Sequence, residues 1–152
     1  MSRKLSILVL VIGVLCCLPG YVLSSSSLSF NITKFWLAVK AQGGKASIDA
    51  QHELTDILEQ KVALSERQKL ELVNRFFGTW VTYQTDDLVW GQKDYWASPA
   101  EMLGRGQGDC EDYAIAKYLF LLEMGIPPSR LRLIYVKAKI GGRRSTITQA
   151  HM

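Results

Sequence analysis

Histidine is nearly absent from this chain: His52 and His151 are the only two in 152 residues. Any chemistry that needs an imidazole base therefore has two candidates. Blocks of one charge are also missing. No five consecutive positions are basic, and Arg143-Arg144 is only a pair. The formal net charge of +4 comes from 18 basic and 14 acidic residues. Setting aside Arg3 and Lys4 leaves 16 against 14, a balance of +2. A domain that close to neutrality gives little support to a nucleic-acid partner. There is no internal repeat, P-loop or dinucleotide fingerprint, so the familiar nucleotide-binding architectures find no support either. What the chain does have is apolar mass, 48% of residues, with 10% aromatic and 21% charged. That composition rules out wholesale disorder and suffices for one core in one domain.

The longest apolar run stands near the start. Arg3 and Lys4 precede the run from Ile7 to Leu18, which Pro19-Gly20 breaks. Val22-Leu23-Ser24 then offers small residues where a signal peptidase cuts. Residues 1–24 are expected to be a secretory signal or, uncleaved, an inner-membrane anchor. Either way the remainder is exported, to the periplasm in a bacterial cell. Leu15 and Cys16 stand where a lipobox needs small residues, so lipidation is not expected. Cleavage leaves Cys110 as the only cysteine, without a partner for an internal disulfide. A lone thiol in an oxidising compartment is a liability unless it is buried or used.

Ser24–Ser27 is polar, and residues 25–44 are expected as a linker or N-terminal segment holding the short apolar run Ile32–Val39. Ser47 can cap a helix to about Lys61, with Ile48, Leu54, Ile57 and Leu58 on one stripe. Ser65 opens a second helix with Gln68 as the other half of a capping box, and Gly78 is expected to stop it. Trp80 to Pro99 has no clear period and holds Trp80, Trp90 and Trp96. Such an aromatic loop covers a core or lines a cleft. A glycine-rich stretch, Gly104-Arg105-Gly106-Gln107-Gly108, lets backbone pass close to a neighbour. Trp96 and Gly108 are therefore the substrate-facing candidates. From Cys110 to Met124 the pattern is a helix apolar nearly all round, which predicts burial, with Asp109 as its N-cap. Leu131–Ile140 alternates as a strand, Gly141-Gly142 is a turn signal, and Arg143–His151 is the returning strand.

A cysteine in the first turn of a helix meets unpaired N–H groups and the positive end of the dipole, which favour a thiolate. The same amides can hold an oxyanion. The nucleophile needs a base. His52 sits in an amphipathic helix where a surface role is expected, whereas a hairpin can fold His151 back over the helix start. On the residues alone, a Cys110–His151 dyad and a buried inert cysteine both stand. Asp109, Glu111 and Asp112 add a difficulty. A like charge at about 6 Å, with an effective dielectric near 20, opposes ionisation by roughly 2–3 kcal/mol. Either these acids face water and cap the helix, or a divalent cation neutralises them. Calcium suits hard oxygen ligands in an exported protein, although no EF-hand spacing is present.

Three stretches carry a family likeness: Asp94-Tyr95-Trp96-Ala97-Ser98-Pro99-Ala100-Glu101, then Gly106-Gln107-Gly108-Asp109-Cys110-Glu111-Asp112-Tyr113-Ala114, then Leu131-Arg132-Leu133-Ile134-Tyr135-Val136-Lys137. They resemble the bacterial transglutaminase-like cysteine proteinases, the LapG-type periplasmic proteases, over residues 45–152. The resemblance implies an α+β fold with a papain-like, transglutaminase-like core: N-terminal helices, a buried helix bearing the cysteine, and an antiparallel sheet. It implies a Cys-His-Asp triad in which Cys110 is the nucleophile and His151 the base. Calcium is implied at Asp109 and Glu111, with Asp112 as a third ligand. The implied substrate is a large repeat adhesin, cut near its N-terminus at a small-residue site so that cells leave a biofilm. The implied partner is an inner-membrane cyclic-di-GMP receptor that sequesters the protease.

One departure follows from the likeness. The family's triad aspartate comes after the histidine, and here only Met152 follows His151. The domain at 45–152 is thus expected to be incomplete at its C-terminal side, with impaired activity. A missing orienting carboxylate costs roughly 10⁴-fold in the serine-protease precedent. Two other functions fit the same fold. One is a non-catalytic binding module using the Trp80–Trp96 surface. The other is an acyl or amine transferase using the same thioester chemistry.

Overall fold

In a computed structural model, residues 30–43, 48–139, 144, 146 and 148–152 are described. Residues 1–24 with Cys16 and Cys17, the cap position Ser47 and the turn Gly141-Gly142 lie outside the described residues. Two of the early helices start where a side chain accepts a backbone N–H. α1 (Ile32–Ala41) follows Asn31, whose Oδ1 accepts the Lys34 N–H at 2.9 Å. α2 (Ile48–Glu59) precedes α3 (Glu66–Trp80), which opens on the expected Ser65–Gln68 capping box. Gly78 does not stop α3. The helix runs through it to Trp80 and ends where Val81 turns extended, φ −124° and ψ 133°. An interior glycine weakens a helix without breaking it.

After β1 (Thr82–Tyr83) come the short α4 (Asp86–Val89) and α5 (Pro99–Arg105). α5 opens on a second capping box, Ser98 with Glu101, and has Pro99 in its first turn. β2 (Gln107–Gly108) pairs in parallel with β1, Thr82 beside Gln107 and Tyr83 beside Gly108. α6 (Cys110–Glu123) follows at once, and a 3₁₀ turn (Pro128–Arg130) leads toward the last hairpin. There β3 (Val136–Lys139) pairs antiparallel with β4 (Thr148–His151), Val136 opposite His151 and Lys139 opposite Thr148. The expected α+β class, with helices before the cysteine and an antiparallel pair after it, is what the chain adopts. Only the second half of the expected strand from Leu131 pairs. Leu133, Ile134, Tyr135 and Val136 are exposed.

The core joins all five longer helices. Trp36 and Val39 from α1 meet Leu54 and Ile57, Val73, Phe76 and Phe77, Met102 and Leu103, and Ala116, Phe120 and Leu121. Phe120 makes ring contacts at 5.4–5.5 Å with Phe30, Phe35 and Phe77. Residues of the 25–44 segment therefore supply core. α6 is less enclosed than its composition predicts. Asp112, Ala116, Phe120 and Leu121 are buried, but Leu119 is exposed and most others are half-buried. No helix among the described residues is long and apolar enough to cross a membrane.

α1 and α5 approach so closely at Gly104 that an added Cβ would stand 2.6 Å from the Val39 carbonyl oxygen and 2.5 Å from Gln42 Cβ. Gly104→Ala is expected to cost roughly 1–3 kcal/mol through overpacking. Gly78→Ala, with nothing within 4 Å, is expected to gain about 0.5–1 kcal/mol. Denaturation midpoints of the two variants should therefore move in opposite directions.

Candidate active site

Cys110 stands at the first position of α6, placed there because Gly108 and Asp109 end β2 and leave the strand pair. Two cavities meet at its thiol. The first, about 390 Å³, is lined by Cys110, Tyr113, Ala114, Lys117, Tyr83, His151 and Met152. The second, about 520 Å³, is lined by Cys110 with Asp86, Asp87, Asp94, Asp109, Glu111, Lys93, Thr85 and Tyr135. The hairpin thus brings His151 to the cavity of Cys110, and the backbone N–H of Met152 donates toward the thiol. His52 is exposed on α2, as expected.

Burial holds the thiol pKa above its ordinary value. A hydrogen bond to Glu111 adds to this, Sγ donating to Oε2 at 2.9 Å. The charges of Glu111 and Asp109 push the same way, and the Met152 amide opposes them. The helix start alone therefore does not make a thiolate here, because burial first and the adjacent acids second favour the neutral thiol.

Those acids are crowded. Asp86 is buried and Asp109 half-buried, and each has an Oδ1 without a hydrogen-bond partner. The second oxygen of Asp86 accepts the Tyr95 N–H at 2.5 Å. Burial raises the Asp86 pKa, opposed by the Tyr95 amide and helped by the charges of Glu111, Asp94 and Asp87. Asp109 is pushed up to about 7, by burial first and then by its hydrogen bond and charge contact with Glu111. Burial also acts on Glu111, but hydrogen bonds from the Cys110 thiol, its own N–H and Asp109 hold it below the usual carboxylate range.

Such a set fits a hard divalent cation. Oxygens of Asp86, Asp94 and Glu111 lie within 4.8 Å of one another, and so do those of Asp86, Asp109 and Asp112. Two of these residues offer the unpartnered oxygens just described, and calcium takes six to eight oxygen ligands. Asp109 and Glu111, expected as ligands from the sequence, each belong to one of these groups. Asp86 and Asp94 were not expected, since they stand 24 and 16 positions before Cys110 and carry no spacing signal. Asp112 was expected among the ligands and has a nearer task. It is 0% exposed, its Oδ1 accepts the Ala97 N–H at 2.7 Å, and its Oδ2 accepts the Asp109 N–H at 3.3 Å. It pins the Asp94–Ala97 loop to the start of α6, and burial pushes its pKa up to about 6.

The two substrate-facing candidates sit differently. Trp96 is 55% exposed, donates Nε1–H to Asp94 at 3.1 Å, and lines neither cavity beside Cys110. Gly108 is buried. A Cβ there would meet Met102 Cγ at 2.8 Å and Asp112 Oδ2 at 2.9 Å, so packing accounts for the glycine.

A helix-borne cysteine, a hairpin-borne histidine and a nest of carboxylates define a cysteine-hydrolase type of site. Residues 43–149 match the family model of the bacterial transglutaminase-like cysteine proteinases (BTLCP), and the chain belongs to that family. The match includes Cys110 and its acids and stops two positions before His151. Calcium-bound Legionella pneumophila LapG is similar in structure: TM-score 0.60 and 31% identity, over 80% of this chain and 63% of that one. The EGTA-treated form of the same protein gives a TM-score of 0.58 at 31% identity, over 80% and 61%. The chain thus spans less than two thirds of the LapG chains it matches. These likenesses place the α+β core in the transglutaminase-like class. None of the curated proteins compared matches the chain.

The raised carboxyl groups set the direction of pH dependence. Folded Asp109 keeps its proton to about pH 7 and Asp112 to about 6, while unfolded aspartates ionise near 3.8. Between these values the folded state binds more protons, so ion-free stability falls as pH rises from about 4 to 7. A cation binds the ionised carboxylates, so its stabilising effect grows over the same window. Calcium is expected to raise the melting temperature more at pH 8 than at pH 5.5. Asp109→Asn should raise the ion-free melting temperature at pH 8 and largely remove the calcium response. Differential scanning calorimetry with calcium and with EGTA reads both.

Proposed function

We propose that this chain carries the nucleophile and base of a calcium-dependent cysteine endopeptidase. The carrying observation is that Cys110 joins a cavity lined by His151 to one lined by carboxylates. The Cys110 thiolate attacks the carbonyl carbon of a peptide bond, forming C–S. Backbone N–H groups of the first turn of α6 face the oxyanion. His151, having taken the thiol proton, passes it to the leaving amine as C–N breaks. Water then attacks the thioester, giving its proton to the imidazole, and the thiol is regenerated. A cation held by Asp86, Asp94, Asp109 and Glu111 supplies positive charge that neutralises the carboxylates beside the thiol. The Met152 amide, donating toward the sulfur, favours the thiolate, and Asp112 positions the start of α6 without touching the reacting atoms.

The biological reading extends from the family. The substrate is the N-terminal region of a large repeat adhesin, cut at small residues in the periplasm after export by residues 1–24. Release of the adhesin disperses biofilm, and an inner-membrane cyclic-di-GMP receptor sequesters the protease. Hydrolysis and transfer share the thioester, and the amine acceptor distinguishes them.

Cleavage of an adhesin N-terminal fragment, followed by gel and mass spectrometry with calcium and with EGTA, tests this reading. Cys110→Ala is expected to lower cleavage by at least ~10³-fold and leave the melting curve folded. His151→Ala is expected to act alike. Cleavage that survives Cys110→Ala, or that ignores EGTA, would overturn the proposal.

A further inference from the structure

Cys110, Tyr113, Ala114 and Lys117 line one face of α6 at positions i, i+3, i+4 and i+7, along the cavity that His151 closes. Lys117 is the charged member of that stripe. The residue is half-buried, and its ammonium stands 5.1 Å from the centre of the Tyr113 ring and donates to Asn74 Oδ1 at 2.7 Å. Burial lowers its pKa, and no carboxylate contributes to the shift. Lys61, Arg67 and Arg130 each pair with a glutamate, whereas Lys117 has no ion-pair partner among the described residues. A cation held between a ring face and an amide keeps its position but not its counter-charge. On the other side of the thiol the cavity is lined by acids. An anionic group in the cleft is therefore drawn toward the Lys117 end and repelled from the opposite one.

Seven helical residues at 1.5 Å each put Lys117 about 10 Å from Cys110 along the helix. An extended peptide at roughly 3.3 Å per residue covers that distance in about three residues. Resting on the endopeptidase reading, we propose that Lys117 forms a subsite for an acidic side chain about three residues from the peptide bond that Cys110 attacks. Substrate choice thus has two parts: small side chains at the thiol, and a carboxylate further along one direction of the chain.

The test uses the full chain carrying Cys110→Ala with calcium present. Fluorescent decapeptides with an Ala-Ala centre carry Glu or Gln three residues to one side or the other, and anisotropy gives Kd. One of the two Glu peptides is expected to bind about tenfold tighter than its Gln twin. That ratio should fall to near one in Lys117→Met, whose melting curve is checked in parallel, and Lys117→Glu should favour a Lys peptide. Equal binding of Glu and Gln at both positions, a ratio unchanged in Lys117→Met, or no binding of any peptide overturns the subsite. The endopeptidase reading fails separately, if the chain with Cys110 intact hydrolyses none of the peptides that bind.

Discussion

Five acidic side chains crowd the start of one helix, and the site depends on what offsets them. Asp86 comes from the start of α4, Asp94 from the segment before α5, and Asp109, Glu111 and Asp112 from the start of α6. With oxygens within 4.8 Å of one another in each group of three, the ionised carboxylates repel strongly. Without an ion the molecule answers with protons, and Asp109 holds one to about pH 7. With a hard cation the same oxygens become ligands. Because Glu111 also accepts a hydrogen bond from the Cys110 thiol, the charge state of this cluster and the ionisation of the thiol are one problem.

The fold is arranged to tolerate that crowding. Asp112 spends both oxygens on backbone amides, one from the loop before α5 and one from the N-cap of α6. Gly108 leaves the volume into which Asp112 and Met102 pack. The Tyr113 hydroxyl donates to the Val81 carbonyl, tying β1 to the same helix. These contacts hold the acid-bearing segments in place from inside the protein, so repulsion at the surface does not drive them apart.

Much of this was legible in the sequence, and the rest was hidden for physical reasons. The capping box at Ser65, the cysteine at a helix start and the antiparallel return to His151 follow from local patterns that tertiary packing did not override. The helix Pro99–Arg105 is not among the sequence expectations, although Ser98-Pro99 with Glu101 is a readable start signal, and Gly104 inside it opens a glycine-rich stretch that lacks helical periodicity. Gly78 misled in the opposite direction, as an interior glycine taken for a stop. Asp86 and Asp94 could not be found by spacing. They reach the site through the β1–β2 pairing, which joins residues 25 positions apart. The packing role of Gly108 is likewise invisible until Met102 and Asp112 are seen beside it.

His151 is delivered to the cleft by four cross-strand pairs, ending where it faces Val136. Strand side chains alternate with period two, so a slip of one position would turn the imidazole to the opposite face. It would also carry the Met152 amide some 3 Å along the strand, away from the sulfur. The imidazole therefore lines the Cys110 cavity only while a short ribbon stays in step, and fidelity of strand alignment governs what surrounds an atom forty residues upstream.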